Sequence, residues 1–184
     1  MTKPRESYVN HLYGLGNCLT SRNSTLVARS RRDLALLRNS FVPGRQFAAY
    51  EIVFRNGAPD DEVEQEVWLL VGALYALHPL TKGARGTLGA SMGQLAKKIG
   101  DGSSVGRRFA QLLARDRAGL PHHLRQAVRL LSAHSTPVNY HRLLDDLTVL
   151  LGRDHLGDRA GAIRLRWARE YHVAPTTDTP ETTQ

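Results

Sequence analysis

The sequence predicts an all-α fold, a helical bundle of about eight helices in one domain or at most two small lobes. Apolar residues recur at helical spacing almost throughout the 184 residues, and no segment alternates convincingly as a strand would. Glycine and proline residues separate the apolar segments, as they do between helices. With 41% hydrophobic residues, the chain can bury a core as one domain or as two small lobes that share it.

The first half of the chain contains the clearest helix. Earlier apolar stripes comprise Val9, Leu12, Tyr13 and Leu19, then Leu26, Leu34 and Leu37 after a Ser24 cap. Residues 47–54 could form either a helix or a buried strand. In residues 62–79, acids crowd the first turn, as the helix dipole favours, and Pro79 ends the pattern. Because residues 68–77 are apolar nearly all round, we expect this helix to be central and buried.

The second half consists of several short amphipathic segments in succession. Leu88, Met92, Leu95 and Ile99 mark one helix, and Phe109, Leu112 and Leu113 mark the next, capped by Ser103 or Ser104. Leu124, Val128 and Leu131 follow Pro121, and Leu143, Leu144, Leu147 and Leu151 follow a start signal at Thr136-Pro137. A last helix from about Asp158 should bury Ile163, Leu165 and Trp167. We expect one domain over 1–172, with lobes of about 1–100 and 101–172, and a disordered Thr/Pro-rich tail over 173–184.

Positive charge dominates the composition. The formal net charge is +8, and 21 arginines stand against only four lysines. Such a surplus on a small domain favours a polyanionic partner, and arginine adds forked contacts to phosphate that lysine cannot make. A GC-rich genome would explain arginine in place of lysine, but it does not explain the net excess.

Several function classes find no support in the sequence. No apolar run is long enough for a membrane span, and the first residues do not resemble a secretory signal. Cys18 is the only cysteine, so a disulfide or a cysteine zinc site within the chain is excluded, and a cytoplasmic location is expected. The loop at 100–106 lacks the ending of a phosphate-binding P-loop. We therefore predict no enzyme activity, no metal and no cofactor.

Two residue pairs on one predicted helix are candidates for parts of a chemical site. His141 and Asp145 lie four apart, which is the spacing of two metal ligands on a helix, but a surface ion pair explains them better. Asp145 and Asp146 are interpreted as solvated or dipole-pairing helix positions.

Basic positions form two groups. Residues 22–55 hold seven arginines against Asp33 and Glu51, and residues 99–134 hold six against Asp101 and Asp116. The six are Arg107, Arg108, Arg115, Arg117, Arg125 and Arg129. They lie off the leucine stripes of their helices, which favours a phosphate-binding track. Interleaved surface aromatics are not evident, so backbone contact should outweigh base stacking.

Six segments, in order, resemble the CasB family. They are WLLVGALYALHP at 68–79, SMGQLAKKI at 91–99, SVGRRFAQLLARD at 104–116, LPHHLRQAVRLLSAH at 120–134, PVNYHRLLDDL at 137–147 and RLRWAREYH at 164–172. CasB is the small subunit of the type I-E CRISPR Cascade surveillance complex, which acts in antiviral defence. The similarity covers roughly residues 8–172.

The resemblance implies a non-catalytic subunit of two packed helical lobes. Its partners would be the CasC and CasA subunits, a second copy of itself, and the backbones of guide RNA and target DNA in the R-loop. The nucleic-acid-binding residues that it implies are Arg108, Arg117 and Arg129, followed by Arg107, Arg125, Arg31 and Arg32. An adaptor whose arginines serve protein contacts, without nucleic acid, is the alternative.

Overall fold

The computed structural model describes residues 4–100 and 102–173, which form nine α-helices and no strands within those ranges. This confirms the all-α helical bundle. The helices are α1 (Pro4–Cys18), α2 (Ser24–Asn39), α3 (Phe47–Arg55), α4 (Glu62–Leu77), α5 (Leu88–Ile99), α6 (Gly102–Leu113), α7 (Leu120–Ala133), α8 (Tyr140–Leu150) and α9 (Asp158–Val173). None of the helices in the described ranges is long and apolar enough to cross a membrane.

Helix α4 is the centre of the bundle, as its apolar sequence predicts. The Asp61 side chain caps it by accepting a 2.9 Å hydrogen bond from the Glu64 amide. Helices α2, α3, α7 and α8 pack around α4. From α1, Tyr8 stacks on Trp68 with 4.8 Å between ring centroids and donates a hydrogen bond to the Trp68 carbonyl. The segment predicted to be central is therefore buried by four helices and anchored to a fifth.

A second set of contacts joins α5 to α9. Gly89 allows this approach, because a Cβ at that position would overlap the Trp167 carbonyl oxygen. Helices α6 and α7 pack beside α5, and α8 packs against α9. One cluster of buried apolar side chains includes members from all nine helices. The lobe limits at about 1–100 and 101–172 remain a prediction.

Three predicted helix starts are wrong. Asn23, rather than Ser24, caps α2 through its side-chain oxygen. Helix α6 already begins at Gly102, so Ser103 and Ser104 lie within its first turn. Helix α8 begins at Tyr140 under an Asn139 cap, after the Thr136-Pro137 signal. In each case the apolar stripe located the helix, and for α2 and α8 a neighbouring asparagine supplies the cap at the first turn.

Several burial predictions also need correction. Leu26 and Leu165 are exposed, at 43% and 62%, because none of the nine described helices covers their sides of α2 and α9. Asp146 is buried at 3% exposure instead of solvated. For residues 47–54, where the sequence leaves a helix and a buried strand both open, the structure shows the helix, α3, with only its inner face buried. Of the predicted tail, Val173 ends α9, and the remainder lies outside the described residues.

Candidate nucleic-acid interface

The two adjacent arginines of helix α6 point in different directions. Its buried face consists of Val105, Phe109 and Leu112. At 100° per residue, Arg107 is directed almost opposite to that face and Arg108 lies beside it. Both side chains are exposed. Arg107 therefore extends into solvent, whereas Arg108 lies next to the neighbouring helix.

Arg108 shares a small hollow between α6 and α7 with His123 and Gln126. The pKa of His123 is lowered by partial desolvation and then by the positive charges of Arg115 and His122. The guanidinium of Arg164 also reaches this side, where it donates a 3.2 Å hydrogen bond to the Arg115 carbonyl. Arg108 of α6, Arg115 of the α6–α7 connection and Arg164 of α9 thus lie around the first turns of α7.

On α7, Arg125 and Arg129 have different environments. The Arg125 guanidinium lies over the Phe41 ring, with 4.6 Å from its Cζ to the ring centroid, and its buried Nε has no hydrogen-bond partner among the described residues. Arg129 is exposed one turn further along. Arg108 lines a hollow on the opposite flank of α7 from Arg125, so by helix geometry Arg129 lies on the outer surface between them.

Arg117 and the α2 pair lie apart from that surface. Arg117 is half-buried in the α6–α7 connection, where it lines a hollow with Glu66 and Leu151. Arg31 and Arg32 are exposed on α2, and Arg32 lines a groove between α2 and α3. Arg125 and Arg129 of α7 and the neighbouring Arg108 of α6 therefore lie in one region of the surface. Arg107 points outward from α6 beside them. Arg31 and Arg32 lie on α2, which is a different part of the bundle.

The alternative chemical site is not assembled by the described residues. They contain no group of three or more histidine, cysteine, aspartate or glutamate side chains that could hold a metal. Asp145 forms its ion pair with Arg5, at 3.5 Å, instead of the predicted pair with His141. The His141 ring lies against Tyr13, with 5.6 Å between ring centroids. Burial lowers the pKa of His141, an effect that the carboxylates of Glu6 and Asp145 oppose.

Sequence reasoning missed two features of the N-terminal half. Arg29 and Arg55 line the α2–α3 groove together with Arg32. On α3, Phe47 and Phe54 are 72% and 52% exposed, so surface aromatics do adjoin the basic residues. The seven-residue spacing of these phenylalanines was the available signal, since it places both on one face of a helix.

Comparison with known proteins gives consistent results. The model of the family described as CRISPR-associated protein Cse2 matches residues 20–172. A CRISPR-associated protein Cse2 from Thermus thermophilus is 33% identical over 153 residues, which are 82% of this chain and 80% of the relative.

Solved structures share the fold. The crystal structure of M. ruber CasB is 24% identical, with a TM-score of 0.68 over 94% of each chain. A chain in a CRISPR RNA-guided surveillance complex is 22% identical, with a TM-score of 0.63 over 89% of this chain and 94% of that one. At these identities the structural likeness supports the fold.

Proposed function

The chain belongs to the CRISPR-associated Cse2 family, also called CasB, and we propose that it is a non-catalytic small subunit of a type I-E CRISPR surveillance complex. In this proposal it binds guide RNA and target DNA by their backbones and stabilises the R-loop. The neighbours would be CasA, CasC and a second copy of the chain. The family membership and the fold shared with a chain of an RNA-guided surveillance complex support the assignment.

The observation that carries the nucleic-acid part is the surface formed by α6 and α7. Arg107, Arg108 and Arg129 are exposed there, and none of them forms an ion pair with a side chain in the described part of the protein. Guanidinium groups that the fold leaves unpaired can bind phosphate without first breaking an intramolecular contact. Such contacts are independent of base sequence.

Sequence-independent contacts suit an R-loop. Exchanging a DNA duplex for an RNA–DNA heteroduplex is nearly balanced in free energy, so modest backbone contacts can shift the equilibrium. Each copy of the subunit would contribute several phosphate contacts. Because the complex holds the two copies and the nucleic acid together at high effective concentration, their binding free energies would add. The subunit would thus stabilise the opened state while base pairing with the guide supplies specificity.

The test is a titration of the full chain with duplex DNA, single-stranded DNA and RNA, each in two unrelated sequences, from about 50 to 200 mM salt. We expect affinity to fall steeply with salt and to differ little between the sequences of one type. Salt-insensitive binding, or a strong preference for one sequence, would contradict the proposal. Tight capture of Cascade subunits that competing nucleic acid leaves unchanged would support the adaptor alternative.

A further inference from the structure

Helix α3 presents an aromatic face to solvent. Phe47 is 72% exposed and Phe54 is 52% exposed, and these are two of the four phenylalanines in the sequence. Tyr50 stacks on Phe54, with 5.4 Å between ring centroids and 15° between ring planes. The opposite face of the helix, with Ala49, Ile52 and Val53, enters the core. Phe47 and Phe54 therefore lie on the outer face of α3, outside the buried core, while Tyr50 packs partly against that core and supports the Phe54 ring.

A basic groove adjoins this aromatic face. The groove is about 270 Å³ in volume and lies between α2 and α3, where Arg29, Arg32 and Arg55 line it. Its acids are Asp33, which is buried at 7% exposure, and Glu51, which lies 3.6 Å from the Arg55 guanidinium. Glu51 and Arg55 follow Phe47 by four and eight residues, which places them in a row next to it on the helix surface. This edge of the groove therefore runs alongside the two phenylalanines.

The other side of α3 is acidic. Burial raises the pKa of Tyr50, and the carboxylates of Glu66 and Glu62 raise it further. The aromatic face thus lies between cations on the α2 side and anions on the α4 side. A polyanionic strand would be attracted to the groove and repelled from the start of α4, which fixes the side on which its backbone can run.

We propose that α3 is a base-stacking site for single-stranded nucleic acid. The Phe47 and Phe54 rings take unpaired bases, and the attached phosphates lie along Arg29, Arg32 and Arg55. Exposed aromatics beside a cationic groove are the combination that binds unpaired strands, because every base has a face that can stack. This goes beyond the proposed function, which requires backbone contacts alone, and it places the site on α3 instead of on α6 and α7.

The experiment compares three probes on the full chain: an oligothymidylate, an abasic oligomer of equal length, and a duplex. A second oligothymidylate carries one 2-aminopurine, whose fluorescence is quenched when it stacks. The variant is Phe47→Ala/Phe54→Ala. Its matched control is Leu156→Ala/Leu165→Ala, which removes two exposed apolar side chains, at 89% and 62%, from elsewhere on the surface. A Phe47→Tyr/Phe54→Tyr variant keeps the rings.

We expect the alanine pair to bind oligothymidylate at least about fivefold more weakly and to lose the 2-aminopurine quenching. Its affinities for the abasic oligomer and the duplex should be unchanged, and both the control and the tyrosine pair should behave as the wild type. Equal affinity of the wild type for the thymidylate and abasic oligomers would overturn the inference. So would equal weakening on all three probes, or unchanged oligonucleotide binding together with loss of a protein partner.

The outcome is separable from that of the proposed function. Loss of duplex binding on substitution of the α6–α7 arginines tests the backbone surface, whereas the α3 variants are expected to leave duplex binding intact. Since both rings lie outside the core and Phe54 loses only its stack on Tyr50, the alanine pair should melt within about 5 °C of the wild type, which checks that a change in binding does not come from unfolding.

Discussion

The Arg125 guanidinium lies over the ring of Phe41, 4.6 Å from its centroid, and this contact joins α7 to the α2–α3 connection. Cation–π contacts contribute about 0.5–2 kcal/mol, depending on how well they are shielded from water. The family resemblance predicts Arg125 as a nucleic-acid ligand. The structure shows that its guanidinium also packs within the protein.

This contact gives the first prediction, which separates Arg125 from its neighbour Arg129. Replacing Arg125 with alanine should lower the free energy of unfolding by about 1 kcal/mol, because it removes the cation–π contact and the packing of the aliphatic stem. Replacing the exposed Arg129 should leave stability within about 0.5 kcal/mol. Urea unfolding of the two variants measures both values. Equal stability of the variants would show that the Phe41 contact contributes nothing.

A second prediction compares the adjacent acids Asp145 and Asp146. The Asp146 carboxylate accepts a 2.6 Å hydrogen bond from the Trp167 indole and also pairs with Arg166, so it connects α8 to α9. Asp146→Ala leaves these donors unpaired and should cost about 2–3 kcal/mol. Asp145 is 58% exposed and pairs with Arg5 at 3.5 Å, so Asp145→Ala should cost less than about 1 kcal/mol. The same urea titration tests this order, and a larger loss for Asp145→Ala would contradict it.

A third prediction concerns pH. Burial is the largest cause of the lowered pKa values of His11, His78 and His141. The His78 ring Nε2 lies 2.9 Å from the Thr136 carbonyl oxygen, which can only accept, so a neutral ring with the proton on Nε2 fits this site.

The sign follows from proton binding. An unfolded histidine takes up a proton near pH 6.5, whereas these folded histidines do so at lower pH. Between those values the unfolded state binds more protons, so the free energy of unfolding should fall as the pH decreases from about 7 to 5.5. Thermal melts across that range measure it. A melting temperature that is constant or rises toward pH 5.5 would contradict the burial of these rings.

A fourth prediction uses two glycines of the α5–α9 pair. A methyl group at Gly89 would overlap the Trp167 carbonyl oxygen, so Gly89→Ala must push the helices apart and should cost about 3 kcal/mol or more. At Gly161 an added Cβ would have no atom of the described residues outside its own helix within 4 Å, and α9 should gain about 0.5–1 kcal/mol from alanine. Opposite shifts in melting temperature are therefore expected. A stable Gly89→Ala variant would refute the close packing of α5 on α9.

The helices were largely predictable from the sequence because apolar periodicity reports which side of each helix is buried. Residues 68–77 are apolar on every side, and the structure places four helices around α4. Periodicity does not report how far a neighbouring element extends. Leu165 satisfies the pattern of α9 but remains 62% exposed because no other part of the described chain covers it.

The candidate site was less predictable, since its geometry depends on packing between helices. The sequence cannot show that Arg125 meets Phe41, which lies far earlier in the chain, or that Asp146 lies under Trp167. Both contacts depend on how α7 and α8 pack against their neighbours. The exposure of Phe47 and Phe54 likewise follows from the position of α3 at the edge of the bundle, where α2 and α4 cover only its inner face.

The central claim is that arginines of the α6–α7 region bind nucleic-acid phosphates. The most direct test is the salt dependence of duplex binding by Arg107→Ala/Arg108→Ala/Arg129→Ala, which removes the three exposed arginines of α6 and α7. Its control is Arg153→Ala, which removes an arginine that is 78% exposed and pairs with Asp61. If all three arginines contact phosphates, the slope of log affinity against log salt should flatten by about 2–3, similarly for unrelated sequences, while the control keeps the wild-type slope. An unchanged slope and affinity in the triple variant would contradict the claim.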